Sequence, residues 1–340
     1  MRLQRFEGNP ILSPMPTHAW ESFVATNPGA WYDLETGKVI LLYRAAGQDA
    51  EHKICFGLAV SQDGYHFERF LDRPVFEPSN DGFDAGCVED ARMVKLGEWY
   101  YITYAARPFP PGEYWKSNGQ VYCPPFAPPD FPQALRDNET ATGLALTKDF
   151  RSWIRAGRIT SPVVDDRDVI LFPEKIQGRY WMLHRPLSWA GPGFETCYPA
   201  IWISSSEDLL DWRDSRLLAR AEFAWEYQKI GGNTPPIRTE HGWLILYHAV
   251  GHDRHYRLGA MLLDIDNPAI VRYRTRNWLL QPEAWYELDG LYPGVCFPCG
   301  KVLLGDTLFV YYGGADKYVC LATCLLEDLL SYLLECPVER

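Results

Sequence analysis

This 340-residue sequence has no long apolar run, no excess of basic residues and little helical periodicity. No apolar stretch approaches the roughly 18 residues of a membrane-spanning helix, and no basic segment followed by an apolar one opens the chain. We therefore expect a cytoplasmic protein without membrane contact. The 33 Lys and Arg are outnumbered by 44 Asp and Glu, and the net charge of −11 argues against nucleic acid as a partner. The scarcity of helical patterns argues against an α/β fold, which requires helices between its strands.

The nine cysteines lack the regular spacing of a disulfide framework. One pair, Cys296 and Cys299, has C-x-x-C spacing and is followed by Cys320 and Cys324, so zinc binding is the alternative to free thiols. All four lie in apolar, strand-like runs. We therefore expect reduced, buried thiols and no metal site.

One pattern occurs five times: a glycine-led turn followed by an apolar strand rich in aromatic residues. The five copies are Gly37–Arg44, Gly97–Tyr104, Gly178–Arg185, Gly242–His248 and Gly305–Tyr312. A short strand precedes each copy, and the turn between the two is typical of a β-hairpin. These preceding strands are predicted at residues 27–31, 88–94, 169–176, 234–237 and 295–302.

A third strand follows most copies, and an aromatic residue such as Phe67, Trp153 or Trp212 then opens a fourth. Four strands in each of five units predict an all-β fold, a five-bladed β-propeller in which residues 1–340 form a single domain. A β-sandwich, the alternative, needs no fixed period. The tail 325–334 departs from the strand pattern, and its Leu and Glu spacing predicts a short C-terminal helix. Its apolar face hints at a homo-oligomer.

The second interval between copies is longer than the others because residues 108–138 are crowded with proline and aromatic side chains. Proline cannot join the central ladders of a sheet, so this segment is predicted to be an extended loop inserted into the propeller. Long loops in compact domains commonly carry function. We expect this one to border either the mouth of an active site or a subunit interface.

Charged residues interrupt the first strands of the units, which line the central channel in a propeller. Glu89, Asp90 and Arg92 stand inside an otherwise apolar run, where an unpaired ion is costly. We expect Asp90 to lie where the five strands converge. The other polar positions that face this axis or reach it from neighbouring strands and connections are Asn27, Arg44, Arg107, Asp165, Asp166, Arg167, Asp168, Glu174, Lys175, His184, Arg185, Lys229, Asn233, Tyr247 and His248.

Two kinds of carboxylate chemistry fit such an axis. An inverting glycosidase needs an acid and a base roughly 6.5–9.5 Å apart with water between them. A phosphorylase needs the acid alone, because phosphate replaces water as the nucleophile, but it must hold the phosphate charge. Arg167, Arg185, Lys229 and His248 would supply that positive charge in an acidic protein, and a water-using enzyme has little need of all four.

Several residue strings, from the first unit to the last, resemble those of glycoside hydrolase family 130. They are Asn27-Pro28-Gly29-Ala30, Glu89-Asp90-Ala91-Arg92, Leu171-Phe172-Pro173-Glu174-Lys175-Ile176, His184-Arg185-Pro186, Gly242-Trp243-Leu244 with Tyr247-His248, and Phe297-Pro298-Cys299-Gly300. The resemblance covers essentially the whole chain. The chain departs from the family at Ala91, where proline is usual, and in the proline-rich insertion.

The resemblance implies an inverting β-mannoside phosphorylase. Asp90 is then the general acid, passing its proton through the mannosyl 3-hydroxyl to the glycosidic oxygen, while phosphate attacks C1 and yields α-mannose 1-phosphate. The implied phosphate ligands are Arg167, Arg185, Lys229, His248 and Tyr256. Family hydrolases lack parts of this basic set, so its presence favours phosphorolysis.

The remaining polar residues of the axis are the candidates for sugar binding: Asn27, Arg44, Glu89, Arg92, Lys175, Asp168 and Asn233. The expected substrates are β-1,4-linked manno-disaccharides or oligosaccharides together with inorganic phosphate as co-substrate, with no metal or organic cofactor. A β-mannosidase using water and a non-catalytic glycan-binding propeller are the alternatives.

Overall fold

The computed structural model describes residues 1–113, 115 and 138–338. Most of the predicted proline-rich insertion, residues 114 and 116–137, lies outside this range. The chain opens with the short strand β1 (Gln4–Arg5). The first blade follows and contains β2 (Val24–Asp33), β3 (Lys38–Ala46), β4 (Ile54–Ser61) and β5 (Glu68–Arg69). The second contains β6 (Cys87–Leu96), β7 (Trp99–Arg107), β8 (Ala141–Thr147) and β9 (Ile154–Arg158).

The other three blades repeat this antiparallel order. The third contains β10 (Asp166–Leu171), β11 (Tyr180–Pro186), β12 (Ile201–Ser206) and β13 (Trp212–Ala219). The fourth contains β14 (Lys229–Gly232), β15 (Ile237–Thr239), β16 (Gly242–Val250), β17 (Tyr256–Leu263) and β18 (Val271–Arg274). The fifth contains β19 (Cys296–Leu304), β20 (Thr307–Gly314) and β21 (Tyr318–Leu325). The fold is the predicted five-bladed β-propeller.

The two ends of the chain meet in the last blade. Strand β1 pairs with β21, so the N-terminus supplies the fourth strand of the fifth blade. This pairing closes the ring, because the blade is complete only when both ends of the chain are in place. The predicted C-terminal helix is also confirmed: it spans Leu326–Leu334 and buries Leu329 and Leu333 against the fifth blade and its neighbour. No helix of the described chain is long and apolar enough to cross a membrane.

Each pair of neighbouring blades shares an apolar interface, as the half-buried strands of a propeller require. Between the third and fourth blades, for example, Ile170 and Leu183 pack with Trp243 and Tyr247. Comparable clusters join the first blade to the second, the second to the third, the fourth to the fifth and the fifth to the first. The inner strands also contact one another around the axis, which brings their polar residues together.

Four blades share a buried bridge in which a carboxylate joins a tyrosine and an arginine. The tyrosine lies on the second strand, the arginine on the outermost strand, and the carboxylate precedes the innermost strand. We call each a Tyr–carboxylate–Arg bridge. The members are Tyr43, Glu21 and Arg69; Tyr104, Asp84 and Arg155; Tyr247, Glu226 and Arg274; and Tyr312, Glu287 and Arg5. Because the carboxylate is buried and paired in every bridge, each bridge ties the inner and outer strands of its blade together.

Two predicted inner strands have different bounds in the structure. In the third blade the strand spans Asp166–Leu171 rather than residues 169–176. Phe172 N still donates to Trp181 O, but Pro173 has no N–H to continue the ladder, and a turn follows. The expectation that Lys175 lies on the axis was therefore wrong: it is exposed in the turn before β11, over the ring of Tyr180. In the fourth blade, residues 234–236 fall between β14 and β15, and Ile237 begins β15.

Candidate active site

Irregularities at corresponding places in three inner strands turn polar side chains toward the axis. The register shifts between Thr26 and Gly29 in β2, between Glu89 and Arg92 in β6, and between Arg167 and Ile170 in β10. Each shift contains one non-glycine residue in the left-handed region: Asn27 with φ of 44°, Asp90 with 58° and Asp168 with 52°. Such backbone is unfavourable for these residues, and it is held where surrounding structure imposes it, commonly at functional sites.

A cavity of about 300 Å³ opens at this level of the propeller. All five blades contribute to it, which is possible because the inner strands converge there. The lining residues are Asn27, Arg44, Glu89, Asp90, Ala105, Arg107, Pro111, Thr140, Arg167, Asp168, Arg185, Lys229, His248, Tyr256, Tyr292, Val295, Phe297 and Asp316. The cavity has the size and the mixed polar and apolar lining of a small-molecule site.

The acidic side of the cavity is organised around Asp90. Its Oδ1 accepts a hydrogen bond of 2.8 Å from Asn27 Nδ2 and lies 3.5 Å from Arg44 Nη1. Its Oδ2 has no hydrogen-bond partner among the described residues. A carboxyl group that receives donors on one oxygen carries its proton on the other, so a protonated Asp90 presents Oδ2 as a donor.

Arg44 gathers three carboxylates on this side. Its Nη1 lies 3.0 Å from Glu89 Oε2 and 3.7 Å from Asp316 Oδ1, besides its contact with Asp90. Burial, opposed by Arg44 and reinforced by Glu89 and Asp316, raises the pKa of Asp90 to about 6. Burial also disfavours the charge on Glu89, but Arg44 and Arg107 outweigh it and lower the pKa of that carboxyl. The two neighbours are thus separated into a carboxylate, Glu89, and an acid, Asp90, that keeps its proton up to about pH 6.

The side of the cavity formed by the third and fourth blades carries positive charge and hydrogen-bond donors instead. Arg167 is held by Asp165, with 2.7 Å between Nε and Oδ1, and Arg185 Nε lies 2.6 Å from Asp168 Oδ2. Lys229 Nζ donates a hydrogen bond of 2.6 Å to Tyr256 Oη. The remaining nitrogen donor, His248, has its ring 5.7 Å from that of Tyr256, centroid to centroid.

These cationic and donor groups are crowded and short of negative charge. Burial, with repulsion from Arg185 and Arg167, lowers the pKa of Lys229 to about 7. Burial lowers the pKa of His248 to about 3, so its imidazole is neutral. Arg185 Nη1 and both ring nitrogens of His248 are buried without a hydrogen-bond partner in the described part of the chain. An anion bound among them would accept hydrogen bonds from Arg185 Nη1 and from the one N–H of the neutral His248, and it would restore the charge of Lys229.

The structure brings together most of the site predicted from sequence. Asp90, the predicted phosphate ligands (Arg167, Arg185, Lys229, His248 and Tyr256) and four sugar-binding candidates (Asn27, Arg44, Glu89 and Asp168) line the cavity.

Arg92 and Asn233 do not line the cavity but lie beneath it: Arg92 Nε donates to Asn233 O, and Asn233 Nδ2 donates to Pro298 O. Lys175 does not line the cavity either and is exposed in the turn before β11.

Sequence reasoning missed Asp316 and Tyr292. Asp316 lies in the turn between β20 and β21 with φ of 58°, and Asn27 Nδ2 donates to its Oδ1 over 3.2 Å. Tyr292 precedes β19 and lines the mouth. An aspartate in a hairpin is ordinary turn chemistry, so only the ring closure that sets the fifth blade beside the first reveals Asp316 as a site residue.

A second polar constellation, in the third blade, has the order of a hydrolase triad. Ser204 Oγ lies 2.9 Å from His184 Nε2, and His184 Nδ1 lies 2.8 Å from Asp166 Oδ2. All three are buried and none lines the cavity, so this group joins β10, β11 and β12 in the blade without a Tyr–carboxylate–Arg bridge. Within the described residues no group of three His, Cys, Asp or Glu is placed to hold a metal ion, and Cys296 and Cys299 are buried thiols.

Comparison with known proteins gives one consistent family. The model of glycoside hydrolase family 130, described as β-1,4-mannooligosaccharide phosphorylase, matches residues 2–119 and 134–335. A 1,2-β-oligomannan phosphorylase of Thermoanaerobacter sp. is 34% identical over 97% of this chain and 99% of its own length. A β-1,4-mannooligosaccharide phosphorylase of Ruminococcus albus is 29% identical over 97% of this chain and 90% of its own. The solved β-1,2-mannobiose phosphorylase of Listeria innocua, in complex with β-1,2-mannobiose, superposes with a TM-score of 0.80 at 29% identity, covering 98% of this chain and all of the other.

Proposed function

The chain belongs to glycoside hydrolase family 130, and we propose that this glycoside phosphorylase cleaves β-mannosides with inorganic phosphate, inverting the anomeric centre to give α-mannose 1-phosphate. Its five blades act as one catalytic domain. The observation that carries the proposal is the division of a single cavity into an acid with a raised pKa, Asp90, and a set of anion donors: Arg167, Arg185, Lys229, His248 and Tyr256.

The reaction assigns a role to each side. Mannose binds against Asn27, Arg44, Glu89 and Asp316, with its 3-hydroxyl toward Asp90 Oδ2. Asp90 gives its proton to that hydroxyl, which passes its own proton to the glycosidic oxygen as the bond from C1 to that oxygen breaks. A phosphate oxygen forms the new bond to C1 from the other face. The leaving sugar departs with the proton, and Asp90 is left as a carboxylate.

Water is a poorer nucleophile candidate than phosphate in this cavity. Hydrolysis with inversion needs a carboxylate base on the face opposite the acid. On the cation side, Asp168 is committed to Arg185 and Arg92, and Asp165 is committed to Arg167. Neither has the free oxygen that would accept a proton from water, whereas phosphate brings its own negative charge to the donors.

The linkage is the finer part of the proposal. The Thermoanaerobacter relative at 34% identity is named for β-1,2-linked oligomannan. The solved structure with a TM-score of 0.80 is named for β-1,2-mannobiose. The β-1,4 relative is 29% identical, and the family description also names β-1,4 linkage. We therefore propose β-1,2-linked mannosides as the first substrates and retain the β-1,4-linked ones expected from the sequence as the second candidates.

The test is to incubate the enzyme with β-1,2- and β-1,4-mannobiose, each with and without phosphate. Proton NMR during the first minutes separates α-mannose 1-phosphate from free mannose and reports the anomer. Phosphate-dependent formation of the α-phosphate from the β-1,2 disaccharide at the higher kcat/KM supports the proposal. Equal release of mannose in both buffers would assign the enzyme to hydrolysis instead, and a preference for the β-1,4 disaccharide would overturn the linkage assignment alone.

A further inference from the structure

Asp168 occupies an unusual position between the two sides of the cavity. It lies at the irregularity of β10, at the place where β6 carries Asp90, and is 4% exposed. Its Oδ2 lies 2.6 Å from Arg185 Nε and 3.8 Å from His248 Nε2, and its Oδ1 lies 3.2 Å from Arg92 Nη2. Both oxygens are therefore engaged by side chains of the protein.

The contact with Arg185 determines which of its donors are available. A guanidinium has a rigid planar fork, so fixing Nε also fixes the direction of the terminal nitrogens. Arg185 Nη1 is then left buried and without a partner among the described residues, beside the equally unpartnered His248. The free donors of both side chains lie in the cavity lining, where the phosphate is proposed to bind.

The contact between Asp168 and Arg92 connects Asp168 to the acid, Asp90. Arg92 is 3% exposed, and its Nη1 donates a hydrogen bond of 2.7 Å to the backbone oxygen of Asp90, while its Nε donates to Asn233 O. Asp90 has a left-handed backbone that a neighbouring group must stabilise. Asp168 thus contacts Arg92, and Arg92 holds the backbone of Asp90, whose orientation the proton transfer requires.

We propose that Asp168 is a positioning residue that holds the phosphate-binding guanidinium of Arg185 on one oxygen and, through Arg92, the backbone of the acid Asp90 on the other. This inference rests on the proposed phosphorolysis. It replaces the expectation that Asp168 binds sugar directly, because neither oxygen is left for a sugar hydroxyl. One buried carboxylate then sets the relative placement of nucleophile and acid.

The test uses Asp168→Asn, which keeps the shape and removes the charge and one acceptor. Glu226→Gln is the matched control, since Glu226 is also a buried carboxylate bound to an arginine, Arg274, but lies outside the cavity lining. We expect Asp168→Asn to raise the phosphate KM by roughly tenfold to a hundredfold and to leave kcat reduced at saturating phosphate, as misplacement of reacting groups by about 1 Å does. Glu226→Gln should lower the melting temperature while leaving the phosphate KM unchanged.

A double-mutant cycle separates positioning from a general loss of structure. If Asp168 acts through Arg185, the double variant that carries both Asp168→Asn and Arg185→Lys raises the phosphate KM by less than the product of the two single fold-changes. If the fold-changes simply multiply, or if Asp168→Asn has the wild-type phosphate KM, the inference is wrong. Should Asp168→Asn fail to fold, Arg92→Lys tests the other contact: it should lower kcat with little change in phosphate KM, and an unchanged kcat would contradict the link to Asp90.

Calorimetry of inorganic phosphate binding to the wild-type chain, without sugar, distinguishes a failure of the proposed function from a failure of the inference about Asp168. A wild type that neither binds phosphate nor forms mannose 1-phosphate overturns the proposed function and this inference together. A wild type that does both, with an Asp168→Asn variant of equal phosphate affinity and equal kcat, overturns the inference alone.

Discussion

Gly231 offers a sharp test of the phosphate site, because a single methyl group there would intrude among its ligands. A Cβ at this position would come within 2.9 Å of Arg185 Nε and closer still to Asp168 Oδ2 and His248 Cε1. Ordinary contacts begin at 3.4 Å, so the neighbours must yield by about 0.5 Å or more. The backbone of Gly231 is not in the left-handed region, so alanine is accommodated by the main chain and the effect comes from the contact alone.

Gly231→Ala should therefore weaken phosphate use more than it weakens sugar binding. Displacing a positioned group by up to about 1 Å costs up to roughly a hundredfold, and we expect the phosphate KM to rise about tenfold to a hundredfold, or ~1.4 to ~2.7 kcal/mol. Overpacking should also lower the free energy of unfolding by about 1–3 kcal/mol. The assay measures initial rates of mannose 1-phosphate formation across a phosphate series at saturating mannobiose, with thermal unfolding in parallel.

Gly259→Ala in the same blade is the control. A Cβ there would crowd the ring of Tyr247, within 2.7 Å of its hydroxyl, and its three nearest atoms all belong to Tyr247. We expect a comparable loss of stability and an unchanged phosphate KM. The reasoning fails if Gly231→Ala keeps the wild-type phosphate KM, or if Gly259→Ala raises it equally.

Three further outcomes follow from the charges. Asp90 must be protonated to act, and its pKa is raised to about 6, so kcat/KM should fall about tenfold per pH unit above that value; a rate that rises across pH 6–8 would exclude Asp90 as the acid. Lys229 binds phosphate as a cation, and its pKa is lowered to about 7. The phosphate dissociation constant, measured by calorimetry, should therefore increase as pH rises above 7. Lys229→Met should flatten this dependence. Glu287 joins Arg5 to Tyr312 in the last blade. Glu287→Ala should therefore lower the free energy of unfolding in urea by about 3–5 kcal/mol. A loss below about 1 kcal/mol would show that this Tyr–carboxylate–Arg bridge does not stabilise the closed ring.

The repeat was readable from the sequence because every second strand pairs a glycine turn with an aromatic, apolar run. That spacing predicted the number of blades and most polar residues of the axis, but the corresponding positions of Asn27, Asp90 and Asp168 appear only in the register shifts of the structure. It failed at Lys175, since a strand boundary is set by where the ladder ends: β10 ends at Leu171, and Pro173 cannot continue it. The apolar Ile176 extended the predicted strand past Pro173, so the prediction overran that end.

Two of the Tyr–carboxylate–Arg bridges are marked in the sequence by a short repeated motif that lies outside the predicted strands. Ala-Trp-Glu occurs before the first and the fourth blade, at Ala19-Trp20-Glu21 and Ala224-Trp225-Glu226, and in both places the glutamate is fully buried. A glutamate in a short segment looks solvated from sequence alone, and only its tertiary partners Tyr43 and Tyr247 make it part of the core. The same limit applies to Asp316, whose role depends on the closure of the ring.

The central claim is that one cavity holds an acid and a phosphate site on opposite sides of a bound mannose. The most direct measurement is a crystal structure of Asp90→Asn with mannobiose and inorganic phosphate. The account predicts the phosphate within hydrogen-bond distance of Arg185 Nη1 and Lys229 Nζ, facing C1, with the mannosyl 3-hydroxyl beside the side chain at position 90. Phosphate bound elsewhere, or a sugar that turns its 3-hydroxyl away from that side chain, would contradict it.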